Sequence, residues 1–482
     1  MNYKIIFKII GFLLMLTGFF MMLGIPFSIY YKSDDISALL QSGVFTSAAG
    51  FIIWFFTRDP HNKELGKREG YLIVTLGWIF MALFGSIPFM LYGAIPGFTD
   101  AFFETMSGFT TTGATILTNI EVVPAGLLFW RSLTQWLGGM GIIVLSLAIL
   151  PILGIGGMQL FSAEVPGITK DKLHPRVRET AKRLWGIYVI FTVTEVILLL
   201  IGGMNLFDAI NHSFTTMATG GFSTKNASTA YFNSPFIQYV FILFMLFAGM
   251  NFTIHYLAFH GKFEFTKINT EFRFYVSFIA ITTVIITIVH LPHVDFHWSE
   301  SIRQSLFHVT SLVTTTGYVS SDYESWAPFS RMFFFVLLFV GGCAGSTGGG
   351  IKFARHFLLM KNSSLELRRL LHPHAIIPVR FNGKAVSMEI ISNVQAFFIF
   401  YIGITVLGSI ILSIFGLDFI TAAGAVATCL GNVGPGIGAV GPVNNFAELP
   451  DIVKWVLSFF MLLGRLELFT VLLIFSPAFW KS

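Results

Sequence analysis

The sequence predicts an all-α polytopic membrane protein: an N-terminal two-helix hairpin, then four pseudo-symmetric repeats of span, short half-helix, glycine loop and second span. Three observations lead there. Of 482 residues, 54% are apolar and 11% charged, against about 25% charged in ordinary soluble chains. Apolar runs long enough to cross about 30 Å of hydrocarbon recur along the whole chain. Between some of them lie shorter half-apolar segments, too short to cross and too apolar for open loops. A mean hydropathy of +0.75 leaves no surface for a disordered, nucleic-acid-binding or cytosolic catalytic protein.

The runs fall near residues 5–31, 36–57, 70–95, 126–152, 184–204, 235–258, 273–292, 329–359, 390–415 and 452–479. The first begins like a signal peptide but continues past Pro26 without a small-x-small cleavage site, so it is read as a retained span. The hairpin is assigned to residues 1–66 and the repeats to 67–160, 161–262, 263–362 and 363–482. With the N-terminus inside, 23 of the 30 Lys and Arg lie on one side, and this asymmetry puts both termini in the cytoplasm. Cys343 and Cys429, both in apolar or Gly-rich stretches, make no disulfide framework.

The half-apolar segments, about 100–112, 208–219, 302–316 and 418–430, are expected to be re-entrant. Each ends in a polar stretch with a glycine, and these glycines, Gly113, Gly220, Gly317 and Gly431, are 107, 97 and 114 residues apart. Asp100, Asp208 and Asp418 open three of the four segments. One such loop would be unremarkable packing, because membrane helices are rich in Gly and Thr. Four at near-constant spacing are a repeat. Irregular backbone survives at membrane depth only where it is buried in protein or lines water, since an unpaired amide in hydrocarbon costs several kcal/mol. Four equivalent loops converging on one pore can offer a ring of carbonyls that replaces a cation's hydration shell. The expected ion filter is Thr111, Thr112, Gly113, Thr219, Gly220, Thr315, Thr316, Gly317, Leu430, Gly431 and Asn432, with the fourth register open because Gly434 follows closely.

With the loops TTTGA, ATGGFS, TTTGY and CLGNVGPG, WRSLTQWLGGMG after the first and LGRLEL near the end, the chain resembles the Trk/Ktr/HKT superfamily of potassium uptake proteins over nearly its whole length. The extra N-terminal hairpin makes it more similar to the longer Trk-type membrane subunits than to the Ktr subunits. The resemblance implies a fourfold pseudosymmetric pore in each protomer, K+ at the filter with no cofactor in this chain, and a homodimer in the cell inner membrane. It also implies a cytosolic nucleotide-binding regulatory ring similar to TrkA, and membrane lipid but no nucleic acid as further partners. In plant relatives a serine replacing the first filter glycine accompanies Na+ transport; Gly113 in this chain favours K+.

The eighth run reaches Gly341 and then holds six glycines in ten residues up to Gly350. At about 1 kcal/mol each relative to Ala, they do not sustain a helix. The span is expected to break there into a loop that obstructs the cavity and moves, in the span where the resemblance places the family's gating loop. The expected gate is Gly345, Ser346, Thr347, Gly348, Gly349, Gly350, Lys352 and Arg465. Arg465 sits in mid-span, where a charge costs at least about 2.5 kcal/mol. It is expected to project below the filter, hold the loop and repel cations, the alternative being a pair with an acidic residue such as Glu195 on another span. The expected activity is gated K+ uptake driven by the membrane potential, without enzymatic chemistry. Two alternatives stand beside it: Na+- or H+-coupled symport with Glu195 or His255 as relay, and an organic-solute transporter, which four loops of like orientation oppose. The literal G-x-G-x-x-G at 436–441 lacks a preceding strand and is followed by Pro442, so it is no dinucleotide site.

Overall fold

A computed structural model describes residues 1–57, 66–141, 177–261 and 269–481. The first helix, Tyr3–Met22, packs against Ile36–Phe56 through glycines on both. A Cβ on Gly11 would lie 2.7 Å from the Gly50 carbonyl, and one on Gly18 would lie 2.5 Å from that of Gly43. Small residues let membrane helices approach this closely.

Among the described residues, six helical stretches are long and apolar enough to cross a membrane: Tyr3–Tyr31, Ile36–Phe56, Lys67–Tyr92, Lys182–Ile201, Thr270–Val294 and Met388–Ile414. Three runs read from hydropathy as single spans are each two helices. Pro235–Ala248 and Phe252–Phe259 meet at 100°, and Asp451–Arg465 and Phe469–Phe475 at 111°. The third, Pro328–Leu337 and Phe353–Leu371, is split by a loop over residues 338–352. Hydropathy reports composition, and composition is blind to the two bends. The first turns at Met250, whose backbone is extended, and the second at Glu467 and Leu468, both at positive φ, 54° and 57°. Of the run 126–152, Ala125–Trp136 is helical and Leu137–Gly141 a π-turn; the remainder lies outside the described residues, as do parts of the basic segments at 58–69, 162–183 and 260–273.

The re-entrant segments are helices: Phe98–Phe109, Leu206–Met217, Trp298–Val313 and Phe419–Gly431. Their aspartates do different work. Asp418 caps the fourth, accepting from the Ile420 and Thr421 amides at 3.1 Å each, and the Thr421 hydroxyl and amide hold its carboxyl below the usual range. Asp208 lies one turn in, behind the Asn205 cap, and Asp100 pairs with Lys454 at 2.6 Å. The all-α expectation needs one small amendment. Arg380–Phe381 and Lys384–Ala385 form a two-stranded hairpin around Asn382-Gly383, both at positive φ, the residue pair that a two-residue hairpin turn favours.

Candidate functional site: four turns and a broken span

At the carboxyl end of each half-helix the chain makes the same turn. The amides of Thr112, Gly220, Thr316 and Val433 reach back to the carbonyls of Ser107, Thr215, Ser311 and Thr428 at 2.8, 2.8, 2.9 and 3.0 Å. The preceding amides, of Thr111, Thr219, Thr315 and Asn432, donate to Gly108, Thr216, Leu312 and Cys429. These are Schellman terminations, with Thr111, Thr219, Thr315 and Asn432 left-handed at φ 53°, 53°, 60° and 51°. A non-glycine residue held there costs of order 1 kcal/mol, so the surrounding packing must impose it four times over.

Two residues further on, each turn carries a glycine at positive φ: Gly113, Gly221, Gly317 and Gly434. A Cβ on Gly113 would come within 2.2 Å of the Gly220 carbonyl oxygen, one on Gly221 within 2.0 Å of that of Thr316, one on Gly317 within 1.8 Å of that of Val433, and one on Gly434 within 2.7 Å of that of Thr112. The turns therefore touch in chain order and close on themselves. The four oxygens in this circuit, of residues 112, 220, 316 and 433, occupy equivalent positions.

This circuit corrects the register in two places. Gly220 stands where Thr112 and Thr316 stand, and the glycine equivalent to Gly113 is Gly221. In the fourth turn Leu430 and Gly431 are still helical, Asn432 takes the place of Thr111, and Gly434 is the equivalent glycine. Aligning the segments on the residue two before the glycine, rather than on the first glycine met, is the signal that separates the two registers.

Buried polar side chains brace the turns from behind. Gln135 donates to the Gly220 carbonyl at 2.7 Å and accepts from the Phe222 amide at 3.0 Å. Glu104 and Arg131, both buried, pair at 2.7 Å. Glu104 accepts from the Ile116 amide, and Arg131 donates to the Ser223 carbonyl, at 2.8 and 3.0 Å. His212 and His308 stand eight residues before Gly220 and Thr316, as Glu104 does before Thr112. They join their own outgoing strands through Ser223 and Ser321, at 2.9 and 3.1 Å. Sequence reasoning missed all five; a charge or amide inside an apolar segment was the available signal. The glycines at 436–441 help seat the fourth strand, with Gly438 donating to Glu324 at 2.6 Å.

Beneath the turns lies the loop 338–352. Gly341 donates to Ile351, closing the base of the loop at 2.9 Å. Gly345 and Gly350 sit at positive φ, and the Gly345 carbonyl accepts from Phe252 at 3.1 Å. Ser346 turns back on Cys343. The loop then reaches three of the four half-helix ends. The Thr347 hydroxyl lies 3.1 Å from the Met217 carbonyl, below the second. A Cβ on Gly348 would lie 2.8 Å from the Thr314 carbonyl, below the third, while the Gly349 amide donates to Thr315 Oγ1 at 2.8 Å. A Cβ on Gly349 would lie 2.6 Å from the Gly431 carbonyl, below the fourth. Arg465 completes the circle, donating to the Thr347 carbonyl at 2.7 Å and to Thr111 Oγ1, at the end of the first, at 3.1 Å. Its other nitrogen donates to the Gly138 carbonyl and, at 2.6 Å, to that of Gly139. The Lys352 ammonium donates to the Gly348 carbonyl. Glu467, two positions beyond Arg465, pairs with Arg355.

Four helix carboxyl ends, each carrying roughly half a negative charge, thus converge above a loop held by two cationic side chains. The arrangement can take a dehydrated monovalent cation between main-chain oxygens and can block its path from below.

The model of the TrkH family, cation transport proteins, matches residues 35–482. The Trk system potassium uptake protein TrkH of Salmonella typhimurium is 40% identical over 487 residues, covering all of both chains. The protein of the same name from Escherichia coli strain K12 is 40% identical over 490 residues, again covering both in full. The crystal structure of the potassium transporter TrkH from Vibrio parahaemolyticus matches the fold with a TM-score of 0.89 at 37% identity, over all of both chains.

Proposed function

The chain belongs to the TrkH family of cation transport proteins, and on that premise we propose that it carries K+ into the cell through the ring of four turns. The observation that carries this reading is the circuit of equivalent carbonyls at residues 112, 220, 316 and 433, each seated against the preceding turn's glycine. The filter consists of Thr111, Thr112, Gly113, Thr219, Gly220, Thr315, Thr316, Gly317 and Asn432, with Gly221, Val433 and Gly434 replacing Leu430 and Gly431 in the ring. Their oxygens exchange for the water of a K+ ion. The membrane potential supplies the direction, at about 2.3 kcal/mol per 100 mV for one charge. With one positive-φ glycine per turn, fewer coordinating rings are available than in a tetrameric potassium channel. Rb+ therefore passes, and discrimination against Na+ is moderate.

The loop containing Gly345, Ser346, Thr347, Gly348, Gly349 and Gly350, with Lys352 and Arg465, is the gate in its closed position. Its support is the set of bonds from this loop and Arg465 to the first three half-helix ends, and the close approach of Gly349 to the fourth. The working unit is a homodimer in the inner membrane, with both termini and the basic segments on the cytoplasmic side, where a nucleotide-binding ring similar to TrkA acts on it.

The test is 86Rb+ uptake into liposomes holding the purified chain, with K+ and Na+ as competitors and with imposed Na+ and pH gradients. Uptake suppressed by K+ more than by Na+, and indifferent to both gradients, is the expected result. A reversal potential that follows the Na+ or proton gradient replaces this reading with symport. Deleting residues 345–350 raises uptake; unchanged uptake removes the gate.

A further inference from the structure

The start of the span Thr270–His290 holds the loop from below. Glu271 is buried, and one carboxylate oxygen, Oε1, accepts from two amides: Ala344 at 2.7 Å and Ala354 at 3.0 Å. Ala344 lies at the entry of the glycine-rich stretch and Ala354 just past its exit, in the first turn of Phe353–Leu371. One side chain therefore ties together both ends of the segment that blocks the path. Bonds from amides to a carboxylate are stronger than neutral ones.

The same helix start is fastened to the small β-hairpin. The Thr270 amide donates to Asn382 Oδ1 at 2.7 Å, and the Asn382 amide donates back to Thr270 Oγ1 at 3.2 Å. Beside that pair, Phe381 of the hairpin packs in one apolar cluster with Ala344, Ala354 and Leu358. A displacement of the hairpin is thus transmitted to Glu271 and to both ends of the loop by bonded and packed neighbours, without passing through the filter.

We propose that Glu271 is the positioning residue that keeps the intramembrane loop shut, and that the Asn382 hairpin is the handle by which it is released. This rests on the loop being the barrier. The hairpin lies in the basic segment 352–384, which the charge asymmetry assigns to the cytoplasm, so the force that opens the path comes from a partner bound on that side.

The experiment is 86Rb+ uptake and single-channel recording on the full chain in liposomes with no added partner. It uses Glu271→Ala, Glu271→Gln, Asn382→Gly and the deletion of residues 345–350. Glycine at 382 removes the side chain while keeping the left-handed turn. Glu271→Ala is expected to raise uptake at least about tenfold, the scale of losing a single charge-assisted bond. Glu271→Gln, which keeps an acceptor oxygen, and Asn382→Gly should fall between it and the parent. Unitary conductance and the Rb+/Na+ ratio should stay at parent values, a separation that a general packing defect does not produce. If the deletion raises uptake while monodisperse Glu271→Gln and Asn382→Gly both stay at the parent level, the clamp is wrong and the gate stands. If the deletion itself leaves uptake unchanged, the gate reading falls and the clamp with it.

Discussion

The half-helix ends and the second spans beneath them answer to opposite rules. Above, one turn is written four times, with the same backward bonds and a left-handed residue at the same position. Below, among the described residues, the solutions differ: a π-turn at Leu137–Gly141, a 100° bend between Pro235–Ala248 and Phe252–Phe259, a glycine-rich loop over 338–352, and a 111° bend after Arg465. Surrounding an ion requires oxygens at matched positions on every side, so equivalence is enforced there. Blocking a path requires a single obstruction, so on the proposed gate reading one second span supplies it and the others need only leave room or provide partners for it.

This contrast is broken most severely at the ring. Gly317→Ala and Gly221→Ala would drive a Cβ to 1.8 and 2.0 Å from a neighbouring carbonyl oxygen. Overpacking of about 3 kcal/mol corresponds to roughly a hundredfold loss of 86Rb+ uptake or of Rb+/Na+ discrimination. Gly220→Ala is the sharpening control, because a Cβ there meets the amide end of Gln135, at 2.4 Å, which is a movable side chain. If Gly220→Ala proves the more damaging of the adjacent pair, Gly220 and not Gly221 is the counterpart of Gly113, and the corrected register fails.

Below the ring the sign reverses. Arg465→Ala removes a cation and its bonds to Thr111, Thr347, Gly138 and Gly139. Uptake should rise about tenfold with the Rb+/Na+ ratio unchanged; a fall in that ratio would move Arg465 from the barrier to the filter. Gln135→Ala tests the brace behind the ring. Losing this brace, at about 1 kcal/mol net, should lower the Rb+/Na+ ratio roughly fivefold without changing the closed-state leak. The smallest effect is expected at the outer rim. Asp418→Ala removes a cap worth about 1 kcal/mol, read as a lower melting temperature. The Asp418 carboxyl lies below its ordinary value, so the cap's contribution is present above the unfolded carboxylate pKa and is lost as pH falls through the folded one. The melting difference between parent and variant should accordingly shrink in acid.

Much of this was legible in the residues. Three of the four turns announced themselves through Thr-Gly endings and the fourth through its spacing, and the loop 338–352 through glycine density that no helix tolerates. Arg465 stood out as a charge in mid-span. The two bends at Met250 and at Glu467-Leu468 did not, because each run taken whole is apolar enough to pass as one straight span. The registers at Gly220 and Gly431 failed for a different reason: each has a second glycine close behind it, and only the backbone shows which one faces its neighbour. Glu104, Arg131, Gln135, His212 and His308 are legible as buried polar groups but not as braces, since the partners they brace lie beyond the helix that carries each of them.

Because all four quadrants of the ring are encoded at separate places in one polypeptide, a single codon change alters one quadrant and leaves three intact. An assembly of four identical subunits has no such freedom, as every change is felt fourfold at once. Ion preference in this architecture can therefore be adjusted in quarter steps, and the Val433 quadrant, already unlike the Thr112 and Thr316 quadrants in side chain while sharing their backbone, is such a step.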